Sequence, residues 1–383
     1  MAGTARRLIE AFQRKFQTEL VPRVYRAPGR VNLIGEHTDY NLGFVLPVAL
    51  ELACYVAVAP RDDGWIRVYS ANMDQERSWP VEALEELQRS GDWSDYVAGV
   101  AVQLHKAGVA IHACDLYIDS EVPTGSGLSS SAALEVSTAL AFLDGRPMDP
   151  LELARICRAA EVEFVGMPCG IMDQYISIFG RRNAALKIDC RSLKFDVVRL
   201  PERAQFVAVN TMVKHELGSS AYRDRVRECQ EAVARIQSRY PSVQSLRDAT
   251  LEHLGLLDGV VLKRARHVIT ENERVERFVT AAARADLVEM GRLFVDSHRS
   301  LQYDYEVSCE ELDFLVDTAI AIPGVYGARM TGGGFGGCTV NLMAPSVAER
   351  FRQEIAAKYR ERFGFEPAFY PVVPSDGAGP VVV

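Results

Sequence analysis

Cysteine is sparse in this 383-residue chain, and it is scattered. Its eight residues, Cys54, Cys114, Cys157, Cys169, Cys190, Cys229, Cys309 and Cys338, form no C-x-x-C pair. That spacing excludes zinc ribbons and a disulfide framework, and it predicts reduced thiols in a reducing compartment. Long apolar runs are missing too. The richest, Val45 to Pro60, is interrupted by Pro47 and Glu51, short of the roughly 18 apolar residues of a membrane span. No apolar stretch follows the Arg pair in MAGTARRLIEAF, which excludes a secretory signal. Positive charge is not in excess: 43 Lys and Arg stand against 51 Asp and Glu, a net charge of −8. A general nucleic-acid binder would carry a basic domain instead. Repeats and low-complexity segments are also absent. These absences predict a cytoplasmic protein with neither a nucleic-acid nor a membrane partner.

What remains is an ordinary globular composition, 48% hydrophobic and 25% charged. A chain of this length can bury a sizeable core without disulfides or metals. At roughly 100–200 residues per domain, two domains are expected. Apolar positions at Leu8, Ile9, Phe12 and Phe16 predict a first helix over Ala5 to Leu20. Val24 to Tyr25, Leu46 to Ala59, Arg67 to Ser70 and Ile111 to Ile118 read as strands, and Asp95 to Ala107 as a helix. Asp149-Pro150 predicts a capped helix start, with the helix running to Gly166. Residues 184–199 read as two strands around a turn, and Phe206 to Asn210 as another strand. The chain from Ala221 to about Thr280 reads as mostly helical, and two late strands bracket a glycine cluster. Strands and helices mix without strict alternation, so the expected class is α+β. The boundary is expected near 190–205, giving units 1–195 and 196–383.

Four segments carry chemistry. In Pro123-Thr-Gly-Ser-Gly-Leu-Ser-Ser-Ser-Ala132 a glycine-rich turn opens an apolar helix. Such a helix start offers free N–H groups and a positive dipole end to an anion. It reads equally as a serine-capped helix after a tight turn. No G-x-x-x-x-G-K-[ST] occurs, so this is not a Walker loop. Met330-Thr-Gly-Gly-Gly-Phe-Gly-Gly-Cys338 satisfies G-x-G-x-x-G, but a strand pattern follows it and no βαβ unit opens, so a dinucleotide meaning is rejected. Close approach to a ligand at a tight turn is expected there. Ala27-Pro-Gly-Arg-Val-Asn-Leu-Ile-Gly-Glu-His-Thr-Asp-Tyr-Asn41 packs donors and acceptors suited to a polyol into one loop-like stretch. Finally, Asp173 in Cys169-Gly-Ile-Met-Asp-Gln-Tyr175 is a carboxylate in apolar company. It can be a satisfied buried acid, or, paired with Arg30, a general base.

Taken together these segments resemble the galactokinase family. APGRVNLIGEHTDYN is similar to its signature. VPTGSGLSSSAALEV and RMTGGGFGGCTV are similar to two motifs of the wider superfamily of galactose, homoserine, mevalonate and phosphomevalonate kinases. The resemblance implies a two-domain α+β small-molecule kinase fold with the active site between the domains. It implies transfer of the γ-phosphoryl group of MgATP to the C1 hydroxyl of α-D-galactose. Asp173 would then stand at the reacting hydroxyl, with Arg30 holding that carboxylate ionised and contacting the transferred phosphate. Glu36, His37, Asp39, Gly170 and Tyr222 would bind the sugar. Gly125, Ser126, Gly127, Leu128, Ser129 and Ser130 would hold the nucleotide phosphates, with Trp93 near adenine. Ser131 and Glu161 would hold Mg²⁺. Taken residue by residue, Glu161 also reads as a solvated helix face, and Tyr222 as packing.

Two rivals stand beside this reading. A sister kinase would act on N-acetylgalactosamine, arabinose or galacturonate, although no added cation for a uronate appears in GEHTDYN. A non-catalytic sensor would bind galactose and ATP without turnover; the intact Arg30, Asp173 and Ser130-Ser131-Ala132 speak against it. Gln302-Tyr303 departs from the family's usual Arg-Asp at that place, in a segment that sequence alone does not position.

Overall fold

The computed structural model describes residues 2–214 and 218–382. Helix α1 (Ala2–Phe16) leads into strands β1 (Arg23–Asn32), β2 (Phe44–Val45), β3 (Pro47–Pro60), β4 (Trp65–Ser70) and β5 (Gln75–Pro80). Then come α2 (Ser94–Lys106), β6 (Cys114–Ser120), α3 (Ser130–Leu143), α4 (Pro150–Ala159) and α5 (Met172–Phe179). Strands β7 (Ala184–Asp189), β8 (Lys194–Arg199) and β9 (Gln205–Lys214) precede the helices α6 (Gly218–Gln237), α7 (Gly259–Ala283), α8 (Leu287–Ser300) and α9 (Glu310–Ile320). The chain closes with β10 (Val325–Thr331), β11 (Gly336–Met343), α10 (Ala348–Phe363), β12 (Ala368–Pro371) and β13 (Gly379–Pro380). Among the described residues no helix is long and apolar enough to cross a membrane.

The class is α+β, as the pattern predicted. Most strand pairs are antiparallel; β4 with β6 is parallel. The largest sheet has the order β13-β1-β3-β6-β4-β5. Period-two alternation splits its central strands between two cores. Val24, Ala53, Tyr55 and Ala57 face α1 through Leu8, Phe12 and Phe16. Tyr25, Ala27, Val56 and Val58 face α2 and α3 through Val97, Val100, Ala133 and Val136. With both faces covered, β1 is buried along nearly its whole length. The second sheet, β10-β11-β9-β12, buries Val209, Ala328 and Met343 against α9 and α10. Its other face, with Ala208, Cys338 and Val340, joins Met290, Leu293 and Phe294 of α8 in the same core as α2 and α3. A small third sheet, β2-β7-β8, completes the strands. The last strand, β13, returns to pair with β1.

Asp149 caps α4 as expected, accepting from the N–H groups of Leu151 and Glu152 at 3.0 Å each. The helical path then loosens into a π turn over Ala160–Val165 and stops at Gly166 in the left-handed region.

Two expectations need correction. The polar first segment is not loop-like throughout, because Arg30 and Asn32 lie on β1. A register shift between Pro28 and Arg30 bends the strand there. At the bend the Arg30 N–H donates to the Leu128 carbonyl at 3.0 Å, and a Cβ on Gly29 would fall 2.6 Å from that oxygen. The glycine cluster likewise approaches protein before ligand. A Cβ on Gly332 would meet the Gly127 carbonyl at 3.0 Å, and one on Gly337 the Ser126 carbonyl at 2.9 Å. The 123–132 loop is therefore wedged, main chain against main chain, between β1 and the β10–β11 turn.

This close approach is measurable. Gly337 and Gly364 share a positive φ, 77° and 83°, but a Cβ at Gly364 meets nothing within 4 Å. Gly364→Ala should cost about 1 kcal/mol from the left-handed backbone alone. Gly337→Ala should cost at least about 2 kcal/mol more, because the neighbour that must move is backbone. Urea unfolding of both variants checks the difference.

Candidate active site

Arg30 anchors the site. Its Nε donates to Asp173 Oδ1 at 2.9 Å and its Nη2 to Asp173 Oδ2 at 2.8 Å. The third nitrogen, Nη1, donates to the Gly127 carbonyl at 2.5 Å. Arg30 is buried, while the Asp173 side chain keeps 27% of its exposure and faces a cavity of about 420 Å³. A bidentate guanidinium–carboxylate pair fixes both direction and charge. The pairing expected from sequence is present, at the first turn of α5.

Within the loop, Gly125 and Gly127 have positive φ of 74° and 77° and line the cavity. Ser126 and Leu128 do not. Ser126 Oγ donates to the Pro123 carbonyl at 2.7 Å, and Leu128 is fully buried in the core. Their side chains turn into the loop and the core, away from the cavity. Ser129, also left-handed at φ 59°, makes no capping bond to α3. Its hydroxyl donates to Asp173 Oδ2. The first N–H groups of α3 thus keep no side-chain cap and stay free for an anion. Ser130 and Ser131 line the cavity at that helix start. Trp93, just before α2, lines it too and donates from Nε1 to Gln75 Oε1 at 2.9 Å.

Glu161 sits on the π turn after α4, not on a solvated face. Its Oε2 accepts from Gln174 Nε2 at 2.7 Å, and Ser131 also hydrogen-bonds it. Burial, together with the neighbouring Asp173, pushes its carboxyl up to about 7. Gln174 Nε2 donates as well to Glu135 Oε2, at 2.9 Å. Glu135 is wholly buried on α3, and burial beside Glu161 raises its carboxyl well above the usual range.

Glu36, His37, Asp39, Gly170 and Tyr222 all line the same cavity, opposite the loop. Glu36 is the most committed of them. Its carboxylate accepts from Asn32 Nδ2 (2.9 Å), Thr331 Oγ1 (3.0 Å) and the Gly332 N–H (2.7 Å), with Arg329 at 3.5 Å. It locks the first polar segment to the glycine turn. His37 has a left-handed backbone, φ 61°, and its Nδ1 is 2.8 Å from the Tyr40 hydroxyl. Its Nε2 is buried and makes no hydrogen bond of normal geometry among the described residues. Burial, then the positive neighbours, hold the ring well below the usual histidine range, so it is neutral. Asp39 is pushed up to about 7 by burial and by Asp173. A Cβ on Gly170 would fall 1.9 Å from Asp39 Oδ2, which is why glycine stands there. The Tyr222 ring lies 5.4 Å from that of His37 and 5.5 Å from that of Tyr40.

Comparison with known proteins matches this arrangement. The galactokinase galactose-binding signature matches residues 10–60, and the N- and C-terminal domains of the GHMP kinases match residues 95–181 and 278–361. A galactokinase of Roseiflexus sp. is 44% identical over 365 residues, covering 94% of this chain and 93% of that protein. The chain belongs to the galactokinase family. The human galactokinase is 44% identical over 382 residues, covering 96% of this chain and 94% of its own. The Lactococcus lactis galactokinase complexed with galactose superposes with a TM-score of 0.93 at 35% identity, covering 98% and 99% of the two chains. A mevalonate kinase shares the fold alone, with a TM-score of 0.66 at 16% identity over 92% of this chain and 99% of its own.

Sequence reading of this galactokinase-family chain missed several residues. Glu135 and Gln174 carried no signal beyond polarity within apolar helices. Tyr40 stood inside the quoted signature without a role, and Tyr305 follows the departing Gln302-Tyr303. That departure lies on a π turn, Leu301–Tyr305, outside the cavity. Gln302 bridges Arg299 (2.8 Å) and Asp313 (2.7 Å), while Tyr303 is exposed.

The raised Asp39 carboxyl has a stability signature. Its folded value, about 7, exceeds its usual 3.8. Its contribution is therefore full below the lower value and lost as pH rises through the upper one. Asp39→Asn should stabilise the ligand-free protein little at about pH 3 and by on the order of 2 kcal/mol at pH 8, after discounting for partial exposure. Thermal unfolding of both proteins across that range checks the divergence.

Proposed function

We propose that the chain phosphorylates the C1 hydroxyl of α-D-galactose with MgATP, giving galactose 1-phosphate and ADP. One observation carries the reading: a single guanidinium, Arg30, grips the Asp173 carboxylate and the phosphate-loop carbonyl of Gly127 at once. The acceptor end and the phosphate end of the cavity are thereby held in register, which is what in-line phosphoryl transfer needs most.

In this reading Asp173 accepts the C1 hydroxyl proton or orients that hydroxyl, and Ser129 and Arg30 keep its carboxylate aimed. Arg30 offsets charge gathering on the transferred group. The N–H groups at the start of α3, with Gly125, Gly127, Ser129 and Ser130, receive the phosphates, and Trp93 flanks the base. Ser126 and Leu128 support the loop from inside. His37, Asp39, Gly170 and Tyr222 take the sugar hydroxyls, and Glu36 holds the wall they stand on. Ser131 and Glu161 would hold Mg²⁺. The donors fit: they are two adjoining oxygens, a hydroxyl and a carboxylate. Mg²⁺ needs only one or two protein oxygens, since phosphate and water complete its shell. When bound it supplies charge neutralisation on the phosphates. The eight free cysteines, six of them buried, suit the cytoplasm, and the site lies between the proposed units 1–195 and 196–383.

The test is sugar-dependent ADP release with MgATP across galactose, 2-deoxygalactose, N-acetylgalactosamine, glucose, arabinose and galacturonate. Galactose should be preferred, and Asp173→Ala should lower turnover at least about 100-fold. Near-normal turnover by Asp173→Asn would remove both roles given to that carboxylate. Preference for another sugar would overturn the substrate and keep the chemistry. Absence of turnover despite calorimetric binding of galactose and ATP would make the chain a sensor.

A further inference from the structure

Two polar side chains stand behind the cavity wall and do not line it. Glu135 on α3 and Gln174 on α5 are both fully out of solvent. Burying a carboxyl and an amide is costly unless hydrogen bonds offset it. Here the bonds are few, and they lead to one place. Gln174 Nε2 donates one proton to Glu161 Oε2 at 2.7 Å and the other to Glu135 Oε2 at 2.9 Å. Gln174 Oε1 and Glu135 Oε1 have no hydrogen-bond partner. Among the described residues, then, the Glu135 side chain bonds only Gln174, and the Gln174 side chain bonds only Glu135 and Glu161. The sense of these bonds is set by the groups themselves. An amide nitrogen donates and does not accept, and the ionised Glu161 that a metal needs can only accept.

Glu161 stands where such a hold matters. It lies on the π turn Ala160–Val165, where the helix has loosened, and it lines the cavity beside Ser131. Its Oε2 has one other neighbour of this kind, the weak donor Cys169 Sγ at 3.6 Å. Gln174, by contrast, is mounted on a fixed element. Its neighbour Asp173 is gripped by Arg30. One turn further along, Ser177 Oγ donates to the Pro28 carbonyl of β1 at 2.8 Å. Gln174 thus carries the position of α5 to a carboxylate on a looser turn, and Glu135 keeps the amide from swinging away.

We propose that Gln174 is a positioning residue for the metal, with Glu135 as its anchor: the pair holds Glu161 Oε2 from behind, so that this carboxylate stays turned toward Ser131 and Mg²⁺. Successive residues of α5 then set the acceptor side, through Asp173, and the metal side, through Gln174. The inference rests on the Ser131–Glu161 metal site proposed above, and the experiment separates the two.

The readout is the factor by which saturating Mg²⁺ tightens binding of a non-hydrolysable ATP analogue, from calorimetry with Mg²⁺ and with EDTA. Glu161→Ala should abolish that factor. Gln174→Met, equal in length but without a donor, should lower it about tenfold, the smaller end of what losing a partner of a metal ligand costs. Affinity for the analogue in EDTA and for galactose should stay within about twofold, because the pair makes neither contact. Glu135→Gln, whose amide carbonyl still accepts, should behave as wild type, and Glu135→Met as Gln174→Met. The double variant should be no worse than Gln174→Met, because Glu135 acts only through it. It also leaves no buried Glu135 unpaired, so it keeps the test open should Gln174→Met fold poorly. An undiminished factor in Gln174→Met and the double variant, with the factor lost in Glu161→Ala, would overturn the inference alone. A parallel loss of metal-free nucleotide and galactose affinity would overturn it too, by showing a merely structural role. An unchanged factor in Glu161→Ala would overturn the metal site and the inference with it.

Discussion

The site depends on one steric constraint: three stretches of main chain meet with no side chain between them. The 123–132 loop lies against β1 at Gly29 and against the β10–β11 turn at Gly332 and Gly337. A Cβ at any of these positions would enter the contact distance of a carbonyl oxygen. Glycine is needed there for proximity as much as for torsion. Once the backbones touch, the N–H and the Nη1 of Arg30 both reach loop carbonyls, those of Leu128 and Gly127. The residue that aims Asp173 is therefore the residue that seats the loop. Glu36 adds a second lock by bonding Asn32 on one side and Thr331 and Gly332 on the other. The cavity between these stretches inherits its shape from the contacts around it, and little is left to side-chain rotamers.

Charge is the second constraint. Glu161 and Glu135 stand near Asp173, and Asp173, Glu36 and Asp39 act on one arginine, Arg30. Only Asp173 is paired with it directly. Burial, then the Asp173 charge, lifts Asp39 and Glu161 to about 7, and burial beside Glu161 raises Glu135 well above the usual range. Such a cluster retains protons near neutral pH when empty and favours cations or hydroxyl donors as ligands. In the proposed reaction a magnesium-bound nucleotide and a polyol meet that demand. No lysine is among the residues that line the cavity, and the uncapped start of α3 offers N–H groups and a favourable dipole end to an anion. Ser129 contributes by withholding its hydroxyl from the helix and giving it to Asp173.

The fold class, the order of elements and the Arg30–Asp173 pair were legible because each has a local or family-borne signal. Amphipathic spacing marked α1 and α2, the Asp149-Pro150 cap marked α4, and the resemblance joined Arg30 to Asp173 across 143 residues. What escaped was whatever depends on a partner distant in sequence. Ser126 and Leu128 share a motif with cavity-lining neighbours, yet their side chains turn inward because adjacent residues of a bent loop face opposite ways. The glycine cluster signalled close approach but not what approached. The resemblance singled out Glu161, but helical periodicity alone left it on a solvated face, because it does not foresee a π turn that rotates the side chain toward α5. Glu135 and Gln174 carried only their polarity, since their meaning arises where α3 and α5 meet the turn after α4.

Keeping His37 neutral also protects the charge pattern that phosphoryl transfer requires. A protonated imidazole on the sugar side would draw Asp39 and Asp173 toward itself and loosen the hold of Arg30 on the acceptor carboxylate. It would further offer the phosphates a second positive site on the wrong side of the sugar. Burial removes that competitor: the ring stays well below its usual titration range, with Arg225, Arg329 and His267 adding to the effect. The positive charge of the cavity is thereby concentrated on Arg30, which in the proposed reaction stands where the acceptor hydroxyl and the transferred phosphate meet.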